Sequence, residues 1–188
     1  MQTVARAIET ACGFFDGRTR DHLAAYGLGD PSPQAWYDVA DYVAVYDDLL
    51  DSTGQHTVRR IGKELASEMV WDRDPESFAA TLSVLDSAYN RLHRGSVGGY
   101  KFEQTGEEAG QLVCATPYPA TLEEGLLRGL AQRFTDTGFV TMDLVGCERE
   151  DGLRVVTFDV EWWDGTDIGT PETSEADARS ATNAASAN

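Results

Sequence analysis

Six side chains in this sequence are of the types that most often carry chemistry: Cys12, Cys114 and Cys147, and His22, His56 and His93. Thiolate and imidazole together suit zinc or iron, and a thiol beside an imidazole base can act as a nucleophile. Either chemistry needs its groups held close. Metal sites usually show this as short-spaced pairs such as CxxC, and none of the three cysteines belongs to one. An odd, sparse count reads as reduced thiols rather than a disulfide framework. A free cysteine is most often a small buried hydrophobe, and that reading stands ahead of a metal site built from Cys114, Cys147 and His93. A nucleophile and base made of Cys114 and His93 is conceivable but rests on no motif. No paired carboxylates, phosphate loop or triad rises above chance. The expectation is a protein with no catalytic residue, no metal and no cofactor, a binder rather than an enzyme.

The elements that must position these groups fall into two halves. Val4, Ile8, Ala11 and Phe15 share one face of a first predicted helix. The glycines and prolines of "YGLGDPSP" break the chain, leaving His22 in an apparent turn. Val39, Val43, Tyr46 and Leu50 mark a second helix that "DSTG" ends, and His56 follows in another apparent turn. Val58, Ile61, Leu65 and Met69 stripe a third. Asp74 before Pro75 reads as the N-cap of a fourth, running through Phe78, Leu82, Leu85, Tyr89 and Leu92 to a stop at Arg94-Gly95. At the end of that helix an imidazolium on His93 would complement the C-terminal dipole.

The period then changes. "GGYKFEQT" and "QLVCAT" flank the polar turn "GEEAG" as a hairpin. Pro117 and Pro119 cannot extend a sheet, and they punctuate the entry to a helix that Thr121 and Glu124 would open as a capping box. Its apolar stripe is Leu122, Leu126, Leu130 and Phe134. "GFVTMDLVGC" and "LRVVTFDVEWW" form a second hairpin around "EREDG", with Val140, Met142 and Leu144 on one side. Trp162 and Trp163 end it, one facing the core and the other solvent or a partner. Helices followed by β-β-α-β-β make an α+β domain with a four-stranded antiparallel sheet.

At 188 residues, 41% of them hydrophobic and 10% aromatic, the chain suits one globular domain over residues 1–163. Residues 164–188 are small, polar and acidic, and read as a disordered tail. No apolar run approaches the ~18 residues of a membrane span, and the N-terminus lacks a signal peptide's layout, so a cytoplasmic protein is expected. The 32 acids outnumber the 15 bases for a net charge of −17, and only Lys63 and Lys101 among those bases are lysines. This balance argues against nucleic-acid binding. It resembles the proteins of salt-accumulating haloarchaea, in which dense carboxylates hold water. The basic cluster Arg59, Arg60 and Lys63 reads as a solvated helix face with i,i+4 pairs such as Arg60 with Glu64.

The run from "GGYKFEQTGEEAGQLVCATPYPATLEEGLLRGLAQRF" through "DLVGCEREDGLRVVTFDVEW" resembles the superfamily of haem-nitric-oxide-binding (H-NOX) domains, 4-vinyl-reductase-type small-molecule-binding domains and Bet3-like trafficking subunits. Its members carry a small-residue and glycine motif on the crossing helix, matched here by Gly125 and Gly129. The stretch from Cys147 to Trp162 is similar to their final hairpin, and "YDVADYVAVYDDLLDSTGQHTVRRIGKEL" to the helical part of H-NOX-like families. The resemblance implies a pocket between helices and sheet for a small hydrophobic molecule. It places Tyr89, His93, Tyr100, Phe102, Cys114 and Tyr118 around that pocket, with Tyr118 as a rigid wall between prolines. H-NOX domains also use a proximal histidine and a Tyr-x-Ser-x-Arg motif. This chain has Cys114-Ala115-Thr116-Pro117-Tyr118 there, without the serine or arginine, so haem ranks behind the other readings. The first expectation is a sensor or regulatory domain acting through a partner chain. A scaffold subunit or homodimer using a sheet edge or Trp163 is the second, and a haem or metal sensor the third.

Overall fold

The computed structural model describes residues 18–30, 36–134 and 139–163; the predicted first helix near residues 4–15 and the tail from 164 lie outside them. Among the described residues four helices come first. The first of them, α1 (Arg18–Ala25), replaces the turn expected around His22, whose ring bonds Asp48 at 2.5 Å. Helix α2 (Val39–Thr53) starts where the Asp38 carboxylate accepts the Ala40 N–H at 2.8 Å. It ends at Gly54, whose N–H caps the Leu49 and Leu50 carbonyls. Helix α3 (Gln55–Glu68) follows at once, so His56 is helical rather than in a turn. Helix α4 (Phe78–Leu92) differs from expectation at its start. Ser77 is the N-cap, its Oγ accepting the Ala80 N–H at 3.1 Å, while Asp74 instead receives Arg133 at 3.0 Å.

Strands β1 (Gly99–Gln104) and β2 (Ala109–Thr116) pair as the first hairpin. Only residues 117–119 separate β2 from α5 (Ala120–Phe134). The Pro119 carbonyl accepts the N–H groups of Leu122 and Glu123, so the helix begins before Thr121 and the expected capping box does not form. Glu124, its expected acidic half, instead bonds Arg59 and Arg128, each at 2.9 Å. Strands β3 (Phe139–Glu150) and β4 (Leu153–Trp163) meet through Asp151-Gly152, at φ 49° and 84°. Paired positive φ values at a two-residue loop make a type I′ turn, whose twist suits a hairpin.

The sheet is wholly antiparallel, in the order β1-β2-β4-β3. Val156, Phe158, Val160 and Trp162 alternate inward from β4 and are buried. They share an aliphatic core with Leu127 and Leu130 of α5 and Leu82 and Leu85 of α4. Val140, Met142 and Leu144 share one face, opposite Trp162, Val160 and Phe158; Val140 and Met142 pack on this core, Leu144 is 54% exposed on the edge strand, and a bulge follows between Leu144 and Gly146. The tryptophan pair divides as expected: Trp162 is buried, and Trp163 is 45% exposed opposite Phe139.

Helices α3 and α5 meet backbone to backbone. A Cβ on Gly62 would strike the Leu122 carbonyl, one on Gly125 the Arg59 carbonyl, and one on Gly129 the Lys63 carbonyl. This close approach fixes the rotation of α5 and therefore which of its side chains point inward.

Candidate functional site

Above the aliphatic core lies a second cluster, dominated by tyrosine. Tyr42 and Tyr46 of α2, Tyr89 of α4 and Tyr118 of the β2–α5 connection are all buried. Tyr118 sits edge-on to Tyr42, Tyr46 and Tyr89 at centroid distances of 6.0, 6.2 and 6.4 Å. Such edge-to-face contacts suit the ring quadrupoles. The Tyr46 hydroxyl bonds that of Tyr42, and the Tyr89 hydroxyl donates to the Val97 carbonyl at 2.7 Å.

His93 closes the end of α4, its ring stacked on Tyr89 at 3.8 Å. Its Nδ1 lies 2.8 Å from the Tyr89 carbonyl, which can only accept, so Nδ1 carries the proton. Nε2 is then the acceptor for the Tyr118 hydroxyl at 2.7 Å. Burial lowers the His93 pKa, with the Tyr89 carbonyl opposing part of that shift. The ring is therefore neutral at neutral pH, not the imidazolium expected from its place at a helix end.

Glu123 is the one buried charged side chain among the described residues. It lies in the first turn of α5 and is only 1% exposed. Its Oε1 accepts the Thr116 hydroxyl at 2.5 Å and its Oε2 the Tyr100 hydroxyl at 2.7 Å. Burial raises its pKa from 4.5 to about 7, against the pull of those two donors. Among the described residues no basic side chain pairs with it. Burial also raises the pKa of Tyr42, Tyr46, Tyr89, Tyr100 and Tyr118, so all five phenols stay protonated.

These groups surround a cavity of about 70 Å³. Tyr42, Tyr89, His93, Tyr100, Tyr118 and Glu123 line it, turning almost only carbon towards it. Leu65 of α3 and Met69 at its C-cap, Leu85 and Leu92 of α4, and Leu122 and Leu126 of α5 make the rest. Of the residues expected here, Tyr89, His93, Tyr100 and Tyr118 are brought together. Phe102 and Cys114 are not among the lining residues. Phe102 lies one step further along β1, 6.3 Å from the Trp162 ring. Cys114 is fully buried in the aliphatic core, and burial raises its thiol pKa, leaving it unreactive. Cys114 and Cys147 share one row of the sheet with Val156 between them, about 10 Å apart by strand spacing. They cannot share a metal, and Cys12 lies outside the described residues.

Tyr42 and Glu123 belong to the site but were not expected in it. Glu123 did leave a signal in the sequence. It lies four residues before Leu127 and seven before Leu130, both fully buried, on the innermost stripe of α5.

Helices layered on one antiparallel sheet, with a lined cavity between, define an α+β domain. The fold is H-NOX-like. An oxygen-binding H-NOX domain related to soluble guanylate cyclases superposes with a TM-score of 0.67 at 14% identity, over 85% of this chain and 92% of that one. A mutant H-NOX of T. tengcongensis gives 0.65 at 13%, covering 85% and 94%. A structure solved in work on haem redox potential and porphyrin distortion gives 0.65 at 14%, covering 84% and 97%. No protein-family model and no curated protein matches the sequence.

The residues here do not fit a haem. The cavity of about 70 Å³ falls well below the ~300 Å³ at which ordinary cofactor pockets begin. Both nitrogens of His93 are engaged, so an iron bond at Nε2 would have to displace the Tyr118 hydroxyl. The one acid in the wall, Glu123, would repel propionates rather than hold them.

Proposed function

We propose that this chain is a small-molecule sensor domain that acts by binding, without catalysis, and passes its bound state to a partner chain. The observation that carries this reading is the convergence of apolar side chains from three helices and of the Tyr89, Tyr100 and Tyr118 rings on one internal cavity. The H-NOX-like fold supports it, since a neighbour of that fold binds oxygen. The ligand is small, because the space admits only a few heavy atoms. The acidic surface supports a cytoplasmic, salt-rich setting, in which raising the KCl concentration raises the unfolding midpoint.

The test is to purify the protein in concentrated KCl, denature it, and identify released small molecules by mass spectrometry against a matched blank. A stoichiometric molecule of a few heavy atoms is expected. Failure of any small molecule to bind, either retained or added, would remove the reading. One observation favours a second reading as an interaction subunit. Phe139 and Trp163 stand opposite each other at the end of the β3–β4 hairpin, 76% and 45% exposed. Loss of self-association or partner binding in Trp163→Ala, with the cavity ligand-free, would support it.

A further inference from the structure

We propose that the cavity takes an uncharged apolar molecule, a hydrocarbon of about two or three carbon atoms, held by dispersion and by exclusion of water with no hydrogen bond to the protein. This rests on the small-molecule reading above and names the chemistry of the ligand.

The wall sets the class. The polar heads of the lining residues are spent on their neighbours. Glu123 accepts the Thr116 hydroxyl on one oxygen and the Tyr100 hydroxyl on the other. The Tyr118 hydroxyl goes to His93 Nε2, and His93 Nδ1 goes to the Tyr89 carbonyl. The Tyr89 hydroxyl goes to the Val97 carbonyl, and the hydroxyls of Tyr42 and Tyr46 take each other. What faces the space is ring carbon, leucine methyl groups and the Met69 side chain. A ligand hydroxyl, amide or charge would leave its partners in water and find none here, and an unpaired buried polar group is costly. Water is excluded on the same ground, since it needs about two or more polar partners to occupy a cavity.

The bonds that occupy the polar heads also keep the space open. A wall of leucines alone repacks into a void, but each of these rings is tethered at its hydroxyl and held edge-on to its neighbours. Tyr89 lies 5.2 Å from Tyr100 and 6.4 Å from Tyr118, centroid to centroid. On the opposite side the backbone contact of Gly62 and Gly125 prevents α3 and α5 from closing further. Atoms lining an unfilled space forgo dispersion contacts on that side, and an apolar ligand restores them. Size then limits the ligand. About 70 Å³ is roughly half of a ~150 Å³ apolar cavity that stays dry and accepts the six carbons of benzene. In proportion, about three carbons fill this one.

The experiment is methyl NMR of the full chain, titrated with propane under pressure and with ethanol, its isostere carrying one hydroxyl. Propane is expected to shift the methyl signals of Leu65, Leu85, Leu122, Leu126 and Met69 saturably and to leave Leu112 and Val156 unmoved. Ethanol should bind at least about ten-fold more weakly. Benzene should leave the cavity methyls of the wild type unmoved. It should shift those that remain in Leu126→Ala, which truncates the wall by an isopropyl group. The comparison of propane with ethanol uses the wild-type protein and does not depend on the variant folding. If ethanol binds within about two-fold of propane, or if benzene binds the wild type as tightly as propane does, the hydrocarbon inference fails and the small-molecule reading stands. If neither propane nor ethanol binds, the inference fails; if in addition no molecule is released on denaturation, the small-molecule reading fails with it.

Discussion

The two halves of the core are built on opposite terms. On the sheet side, Phe158, Leu127, Leu130 and Leu112 are fully buried among other apolar groups. There α5 lies on α3 so closely that three positions admit only glycine. On the other side, tyrosines hydrogen-bond to one another, to His93 and to Glu123, and the packing leaves a cavity. Leu65 and Tyr100 touch both clusters. The dense region fixes the scaffold, and the looser one holds a buried carboxyl and an imidazole, each bonded to phenol hydroxyls. Polar residues at the end of a well-packed core mark a place where the fold gave up density for chemistry.

The largest test of this contrast lies in the dense half. Gly125→Val places a branched side chain against the Arg59 backbone, which cannot retreat. It should cost about 3 kcal/mol or more, at or beyond the upper end of ordinary overpacking, and denaturant titration will read it. A loss under ~1 kcal/mol would mean that the seam is loose and the contrast between halves false.

The next test lies at Glu123, whose folded pKa is raised from 4.5 to about 7. Below 4.5 both folded and unfolded chains are protonated there, and the group adds no pH dependence. Between 4.5 and 7 the folded state holds a proton that the unfolded state has lost, so stability falls as pH rises. Above about 7 the loss is complete, at about 3 kcal/mol. Glu123→Gln should abolish this slope and be more stable than wild type at pH 8, by chemical denaturation at both ends of the window. Identical slopes in the two proteins would show that the carboxyl is not buried in solution.

A smaller effect is expected at Tyr118→Phe, which removes the donor to His93 Nε2 but keeps the ring. The loss should be about 1 kcal/mol, with a changed imidazole nitrogen signal in NMR. Smallest of all, Trp163→Ser should leave stability within ~0.5 kcal/mol, because its side chain is outside both clusters. An appreciable loss of stability together with loss of self-association would place Trp163 in an interface.

Much of the scaffold was legible in local pattern. Alternation along β4 put one of Trp162 and Trp163 inside and the other outside, and the glycines of Asp51-Ser52-Thr53-Gly54 and Asp151-Gly152 marked a helix end and a tight turn. These features follow from side-chain period and backbone sterics, which act over a few residues. Helix starts were less legible, because Asp74 and Glu124 each found an arginine far along the chain that outcompeted the local cap. The site itself was half visible. Tyr89, His93, Tyr100 and Tyr118 were legible as ring-bearing residues on the right elements. The pairing of His93 with Tyr118 across 25 residues and the inward turn of Glu123 were not. Those depend on the rotation of α5, which the glycine seam sets by backbone contact with α3, and no local propensity encodes it. Side-chain period and turn residues set most of the elements and their order, though not helix α1 around His22. Only the packed structure decided that the buried acid, rather than Cys114 or Phe102, faces the cavity, because burial and charge pairing are properties of neighbours in space.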